Sequence, residues 1–393
     1  MGPLLSWALY DFANTIFSAI VLTVYFPLYL TELTGSNWSL GTATTISMVL
    51  AGLVVPFMGA LSDQTGKTKT YLVRTTLICI FFLALISLTK NPLFLIAAFI
   101  VSCFFYHAAL VFYNSLLPVA APPEKQGFAS GLGTGLGYLG VVIALPIAHW
   151  VDRSWGRPPV FIAAAALFLL FSLPTFLGVP ERRIEKPIPF QWSLWPKEWK
   201  KIFSTVQRLR DQPKLFLFLA GNFFAVAALN SMIFWFSVYT RGVFHPGQDK
   251  IILLLMSVNA AAFAWGIVTG ILTDRIGSLQ TMILATGVLA LSLALLAIIP
   301  DFWVFAATAI LGGSLGIAGI WTAGRKALVE LVPKEQLGEY FGLYGLTTKI
   351  SVIGSLLFSV VADLAGFRAA LWLLVFPASA GFLCLIRSRI LRA

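Results

Sequence analysis

The sequence contains one eight-residue pattern twice, as Gly59-Ala60-Leu61-Ser62-Asp63-Gln64-Thr65-Gly66 and as Gly270-Ile271-Leu272-Thr273-Asp274-Arg275-Ile276-Gly277. Both stretches fit G-x-L-x-D-x-x-G, and they lie 211 residues apart. The same offset relates Glu124 to Glu335, Gly127 to Gly338, Gly131 to Gly342, Leu132 to Leu343 and Asp11 to Asn222. A register that holds along the chain indicates two copies of a unit of about 200 residues. Each pattern ends a long apolar run with a short polar turn, so the repeated unit is predicted to be a bundle of membrane helices. Two parallel repeats of this kind are typical of secondary transporters.

The composition predicts a protein whose solvent is lipid. Of the 393 residues, 59% are hydrophobic and only 11% are charged, whereas a soluble domain carries about 25% charged residues. A pI near 9.7 is also found in nucleic-acid-binding proteins. Here the basic residues lie in short segments between apolar runs, which is typical of membrane topology. We therefore expect a lipid bilayer as partner and no nucleic acid.

A helix needs about 20 apolar residues to cross a bilayer, and twelve such runs are present. They lie near residues 4–30, 40–61, 71–89, 93–118, 128–150 and 159–178, and near 214–240, 251–273, 279–299, 302–323, 338–361 and 367–387. The first run has no basic leader and no small-residue cleavage site, so it is expected to remain as a span. The predicted fold is an all-α membrane protein with twelve transmembrane helices. They form two pseudo-twofold six-helix bundles, residues 1–178 and 214–393, joined by a linker, 179–213.

The distribution of basic residues predicts the orientation. Twenty of the 27 Lys and Arg residues lie in one set of connecting segments and at the C-terminus, whereas six lie in the opposite set. The positive-inside rule therefore predicts that both termini and the linker are cytoplasmic. Within the linker, one helical face would carry Trp199, Ile202, Phe203, Val206 and Leu209. This pattern predicts an amphipathic helix on the inner membrane surface. The alternative is a basic linker that only follows topology.

Several further blocks carry a family resemblance. They are Trp7-Ala8-Leu9-Tyr10-Asp11-Phe12-Ala13-Asn14, Phe112-Tyr113-Asn114-Ser115-Leu116-Leu117-Pro118, Gly135-Leu136-Gly137-Tyr138-Leu139-Gly140, and Phe341-Gly342-Leu343-Tyr344-Gly345 with the following Lys349. With the two patterned loops, they make the sequence similar to the major facilitator superfamily transporters. More narrowly, the sequence resembles the bacterial UMF1 branch, which is related to the Atg22-like vacuolar effluxers. It departs at Arg325-Lys326-Ala327, where relatives tend to show Arg-Ser-Leu.

The resemblance implies a carrier of small solutes, proton-driven or facilitative, in a prokaryotic inner membrane. Amino-acid efflux is suggested for the fungal relatives. In the superfamily, helices 1, 4, 7 and 10 line a central cavity, and the eleventh helix also borders it. The expected partners are a small-molecule substrate and a coupling proton, and the expected state is a monomer.

The two repeated loops are candidate gates. Glycine permits a tight turn and the close approach of a neighbouring helix, and a carboxylate can cap the positive N-terminal end of a helix from the other half. We expect Asp63 and Asp274 to make such contacts and to hold the cytoplasmic gate shut. The four loop glycines, Gly59, Gly66, Gly270 and Gly277, would shape the loops. The alternative is a local cap without a gating role.

Two ionisable residues within spans are candidate transport residues. Asp11 lies in the first span with Asn14 and Ser18 at helical spacing, and an ionisable group within a membrane usually faces a cavity. Desolvation would let Asp11 carry a proton, unless Asp11 is merely hydrated near the span's end. Lys349 lies about 11 residues into the eleventh span, near the midplane at about 1.5 Å per residue. It is expected to pair with Asp11 or to bind a substrate carboxylate. A structural lysine is the alternative.

Other polar residues form stripes on the predicted cavity helices. His107 and Asn114 share a face of the fourth span, where His107 would relay a proton or would only pack. The remaining members are Asn222 and Asn230 in the seventh span, and Ser314, Trp321 and Arg325 in the tenth. Arg325, at the cytoplasmic end, is interpreted as a topology charge.

Enzymatic and cofactor chemistry is not expected. The three cysteines, Cys79, Cys103 and Cys384, all lie within apolar runs without a C-x-x-C pair, so neither a disulfide frame nor a metal cluster is predicted. The glycine-rich fifth span has no preceding strand and no following Lys-Ser/Thr, so it indicates helix packing rather than a phosphate loop. No cofactor, metal site or catalytic constellation is predicted. The competing classes are a facilitative exporter of another small molecule or of a lipid-like or metal substrate, and a non-transporting membrane receptor with the same fold.

Overall fold

A computed structural model describes residues 2–34, 37–182, 184, 207, 209–350 and 352–391. In these ranges every regular element is a helix, and eleven helices are long and apolar enough to cross a membrane. The remaining predicted span consists of two helices, Leu337–Ile350 and Val352–Ala365, on either side of a residue outside the described ranges. The all-α membrane fold is therefore confirmed.

The helices are numbered here in chain order. In the first half they are α1 (Pro3–Thr34), α2 (Asn37–Thr65), α3 (Thr68–Leu85), α4 (Pro92–Ser115), α5 (Gln126–Trp155) and α6 (Pro158–Gly178). In the second half they are α7 (Pro213–Phe244), α8 (Gln248–Ile276), α9 (Ser278–Ile298), α10 (Phe302–Leu331), α11 (Leu337–Ile350), α12 (Val352–Ala365) and α13 (Phe367–Ile390). Two helices contain a π-helical stretch: α1 over Phe17–Tyr25 and α10 over Ala309–Gly313.

Capping residues and prolines set the helix starts. Asn91 accepts hydrogen bonds from two backbone N–H groups at the start of α4, and Asp301 does the same at the start of α10. These side chains satisfy N–H groups that have no partner within the helix. Proline is present in the first turn of α1, α4, α6 and α7, where its missing N–H costs nothing.

The two repeated loops each end in a glycine with a positive φ angle. Gly66 has φ +65° between α2 and α3, and Gly277 has φ +98° between α8 and α9. Residues other than glycine are strained at such φ angles, because their Cβ atom comes too close to the backbone. The last glycine of the G-x-L-x-D-x-x-G pattern is therefore required by the turn itself.

The chain forms two compact units. Unit 1 comprises Met1–Pro123, Leu136–Lys200 and Pro333–Gly342, and unit 2 comprises Glu124–Gly135, Lys201–Val332 and Leu343–Ala393. Each unit is thus largely one half of the sequence together with a short stretch of the other half. The start of α11 packs in unit 1, and the start of α5 packs in unit 2. The predicted amphipathic helix of the linker falls mostly on residues 185–206 and 208, outside the described part of the chain.

Aromatic side chains fill the interior of each unit. In unit 1 the rings of Trp7 and Tyr10 both stack on Tyr113, and the Trp7 indole donates a 2.9 Å hydrogen bond to the Tyr113 carbonyl oxygen. In unit 2 the Tyr239 ring stacks on Phe305, while its hydroxyl donates to the Leu296 carbonyl oxygen at 2.9 Å. The Trp7 and Tyr239 donors thus both find an acceptor, as is usual for such aromatic residues in a core.

Candidate functional site

The carboxylate of the first repeated loop caps a helix of the second half. Asp63 lies in the last turn of α2, and its two oxygens accept hydrogen bonds from the backbone N–H groups of Gly338 and Glu339, both at 2.9 Å. These N–H groups belong to the first turn of α11, where no intrahelical partner exists. A carboxylate there also faces the positive end of the helix dipole.

A buried arginine completes this arrangement. Arg182 follows α6, and its Nη1 lies 2.7 Å from Asp63 Oδ1. Its Nη2 donates to the Lys334 carbonyl oxygen, just before α11. The two side chains are only 9% and 5% exposed, so the pair is largely removed from water. Asp63, Arg182 and the first turn of α11 are called the first clasp below.

The second half contains the matching arrangement, within unit 2. Asp274, in the last turn of α8, accepts hydrogen bonds from the backbone N–H groups of Gly127 (2.8 Å) and Phe128 (2.7 Å), in the first turn of α5. The cation here is Lys326 of α10, whose Nζ lies 2.7 Å from Asp274 Oδ1. Asp274, Lys326 and the first turn of α5 are called the second clasp.

Glycine lets the helix backbones approach at both clasps. A Cβ atom at Gly59 would overlap the Gly338 carbonyl oxygen, and one at Gly131 would overlap the Gly266 carbonyl oxygen. A side chain therefore has no room at either position. The glycine-rich start of α5 packs against α8, and Gly270 lies in the same contact. This is the helix-packing role predicted for that stretch.

The polar stripe residues of the first half all lie in unit 1. Asp11 is 3% exposed and Asn14 is also buried, one turn later on α1. His107 and Asn114 lie on α4 and are half-buried. The His107 ring packs edge-on against Tyr106 at 5.0 Å. Ser18 donates to the Thr15 carbonyl oxygen at the start of the π-helical stretch.

The polar stripe residues of the second half lie in unit 2. Asn222 is fully buried on α7, and Asn230 is half-buried two turns later. On α10, Ser314 and Arg325 are buried and Trp321 is half-buried. The backbone of Lys349 belongs to α11. Its side chain lies outside the described part of the chain, so the proposed pair with Asp11 stays a prediction.

Four charged residues at the clasps were not identified from the sequence. They are Glu181, Arg182, Lys326 and Glu330; in the sequence, Arg182 and Lys326 have the appearance of topology charges. Lys326 and Glu330 are one helical turn apart, and their charged groups lie 3.7 Å apart. That i, i+4 spacing of opposite charges was a usable signal. Arg182 gave no such signal, because its partners Asp63 and Lys334 are 119 and 152 residues away.

Comparison with known proteins agrees with this architecture. The family model described as Major Facilitator Superfamily matches residues 8–312 and 251–391. The chain is 28% identical to the uncharacterized MFS-type transporter YxiO of Bacillus subtilis, over 92% of this chain and 88% of that protein. It is 26% identical to the multidrug resistance protein MdtG of Proteus mirabilis, over 93% and 89% of the two chains. The solved structure of the human organic anion transporter MFSD10 (TETRAN) has a TM-score of 0.77 at 15% identity, covering 97% of this chain and 98% of that chain. The chain belongs to the Major Facilitator Superfamily of membrane transporters.

Proposed function

We propose that this protein is a secondary transporter that moves a small polar solute by alternating access, with the two clasps as its cytoplasmic gate. The observation that carries the proposal is the repetition of one clasp. In each half, a carboxylate that is only 5% (Asp63) or 13% (Asp274) exposed binds two N–H groups of a helix start and one cation. A cap that served only local stability would be expected to contact a helix of its own half. Both of these carboxylates instead contact a helix start from the other half of the sequence.

The chemistry of the clasps suits a reversible gate. Each clasp is held by charge-assisted hydrogen bonds, which are worth about 1.5–3 kcal/mol each. Such bonds break and re-form as units, because the carboxylate and the helix start must be aligned for any of them to exist. The positive-inside rule favours a cytoplasmic position for both clasps.

The proposed transport residues lie on α1 and α11. Asp11 is buried within a span, and an ionisable residue at such a costly position usually has a function. We assign it the coupling proton. Lys349 is assigned as its ionic partner or as the anchor for a substrate carboxylate. These assignments rest on sequence position and on the burial of Asp11.

The substrate class rests on resemblance. The blocks that resemble the UMF1 and Atg22-like branch favour a small polar solute such as an amino acid. A second candidate, export of drug-like compounds, is favoured by relatives named multidrug resistance proteins, of which MdtG of Proteus mirabilis is one.

A ligand screen distinguishes these candidates. Purified protein is heated with amino acids, peptides, sugars, nucleosides, organic anions and drug-like cations at two pH values, because a ligand of the native state raises the melting temperature. An amino-acid hit that is lost in Lys349→Ala supports the first candidate, and a hit with drug-like cations alone supports the second. Each hit is then tested for counterflow in proteoliposomes. A ligand that binds without counterflow contradicts transport and favours a receptor.

A further inference from the structure

The two clasps use the same carboxylate geometry but take their charged partners from different places. In the second clasp the partners are Lys326 and Glu330, one turn apart on the span α10. In the first clasp they are Glu181 and Arg182, adjacent residues at the start of the linker, shortly after α6. The first clasp is therefore attached to the linker, and the second is attached to a span.

Glu181 fixes this segment to the start of α3. Its carboxylate accepts hydrogen bonds from the backbone N–H groups of Lys69 (2.6 Å) and Thr70 (3.0 Å) and from the Thr70 hydroxyl (2.8 Å). Glu330 has the corresponding role in the second half, where it accepts a hydrogen bond from the hydroxyl of Ser278, the first residue of α9. In both halves, an acidic residue thus binds the start of the helix that follows the repeated loop (α3 or α9), and a basic residue binds the clasp carboxylate.

The repeat explains why the first clasp needs an outside cation. At the repeat offset, Lys326 corresponds to Ser115 and Glu330 corresponds to Val119. Ser115 is buried on α4, and its hydroxyl donates to the Val111 carbonyl oxygen at 2.8 Å. Neither corresponding residue can supply charge to Asp63. Arg182 supplies it instead, and its second nitrogen reaches the Lys334 carbonyl oxygen, before α11.

We propose that Glu181 and Arg182 are positioning residues that tie the first clasp to the linker, so that the first clasp opens only when the start of the linker moves. The second clasp has no such dependence, because Lys326 and Glu330 both lie on the span α10. A perturbation of the linker therefore acts on one clasp and not on the other. This inference rests on the proposed function, because it assumes that the clasps act as the cytoplasmic gate.

Amide hydrogen exchange tests the inference without knowledge of the substrate. The donors of the first clasp are the amides of Gly338 and Glu339, and those of the second are the amides of Gly127 and Phe128. In the full-length protein, Glu181→Gln is expected to speed exchange at the first pair by about tenfold, although Glu181 does not bind Asp63. The second pair is the internal control and should not change.

Matched variants at the cations complete the test. Arg182→Gln should release the first clasp alone, Lys326→Gln should release the second alone, and Arg182→Lys should restore part of the protection by returning the charge. The inference is wrong if Glu181→Gln affects only the amides of Lys69 and Thr70. It is also wrong if Arg182→Gln speeds exchange at both clasps equally, because that result indicates general loosening.

The outcome is separable from that of the gating proposal. If Glu181→Gln releases the first clasp in exchange experiments while transport and cytoplasmic accessibility stay unchanged, the attachment to the linker stands and the gating role fails. If the exchange pattern is unaffected but Asp63→Asn alters accessibility, the gate stands and the attachment fails.

Discussion

Asp63→Asn is the substitution that most directly tests the gate. Asparagine has nearly the same shape, but it is neutral and keeps only one acceptor oxygen. It can therefore replace at most one of the two helix-capping hydrogen bonds, and it leaves the Arg182 guanidinium buried without its counter-charge. Removing one partner of a buried ion pair costs about 3–5 kcal/mol.

That cost raises the population of the open form of the first clasp. Since about 1.4 kcal/mol corresponds to a tenfold change in an equilibrium constant, a cost of about 3–5 kcal/mol should make the ratio of open to closed clasp roughly a hundredfold to a few thousandfold larger. The cost falls on the closed clasp only, because an open clasp exposes both groups to water. The expected result is a shift of the transporter towards a state that is accessible from the cytoplasm.

A single cysteine at Ser62 reports the opening. Ser62 is fully buried beside the first clasp, and a Cβ atom at Gly338 would lie 2.8 Å from its hydroxyl oxygen. With the three native cysteines replaced, inside-out vesicles are treated with an impermeant maleimide, and labelling of Ser62→Cys is followed with and without Asp63→Asn. Labelling should be much faster in the double variant.

Two controls make the result specific. Glu335→Gln removes one negative charge from an exposed side chain close to the clasp, and it should leave labelling unchanged. Thr273→Cys is the matched buried reporter in the second half, to be used with Asp274→Asn. Equal labelling rates of Ser62→Cys with and without Asp63→Asn would refute the gating argument, since the clasp would then not limit access.

Three further substitutions test other parts of the molecule. Asp11→Asn should abolish uphill transport driven by a pH gradient while sparing counterflow of a substrate identified by the ligand screen, and full uphill transport in this variant would contradict the proton assignment. Gly131→Val should lower the melting temperature strongly, because its Cβ atom has no room against the Gly266 carbonyl oxygen and overpacking costs about 1–3 kcal/mol or more; an unchanged melting curve would contradict the close approach of α5 and α8. Trp7→Phe keeps an aromatic ring but loses the hydrogen bond to the Tyr113 carbonyl oxygen, and it should cost about 1 kcal/mol in thermal unfolding with the clasps still protected from amide exchange.

The helix ends show where sequence reasoning was approximate. The predicted fifth span, near 128–150, is the middle of the longer helix α5, Gln126–Trp155. The predicted seventh span, near 214–240, extends in the structure to Phe244. Hydropathy detects the part of a helix that lies in lipid, whereas the backbone hydrogen bonds continue into the polar ends until a cap or a glycine stops them.

The candidate site was predictable to the extent that it lies in the repeat. The pattern around Asp63 and Asp274 identified both carboxylates, and the physics of helix dipoles predicted the kind of partner they would bind. The particular N–H groups did not follow from the pattern. Nor did Arg182, because a basic residue after a span has the same appearance whether it faces water or a buried carboxylate.

The sequence by itself determined the class of this protein: its hydropathy requires a membrane solvent, its internal offset requires two related halves, and its motifs place it among the major facilitators. Those features are local or periodic, so they can be read from the order of residues. Only the tertiary structure decided that the start of α11 docks on Asp63, that the start of α5 docks on Asp274, and that the two carboxylates bind cations of different origin. Contacts of this kind join residues that are far apart in the chain, and they depend on which helices pack together, which no local pattern records.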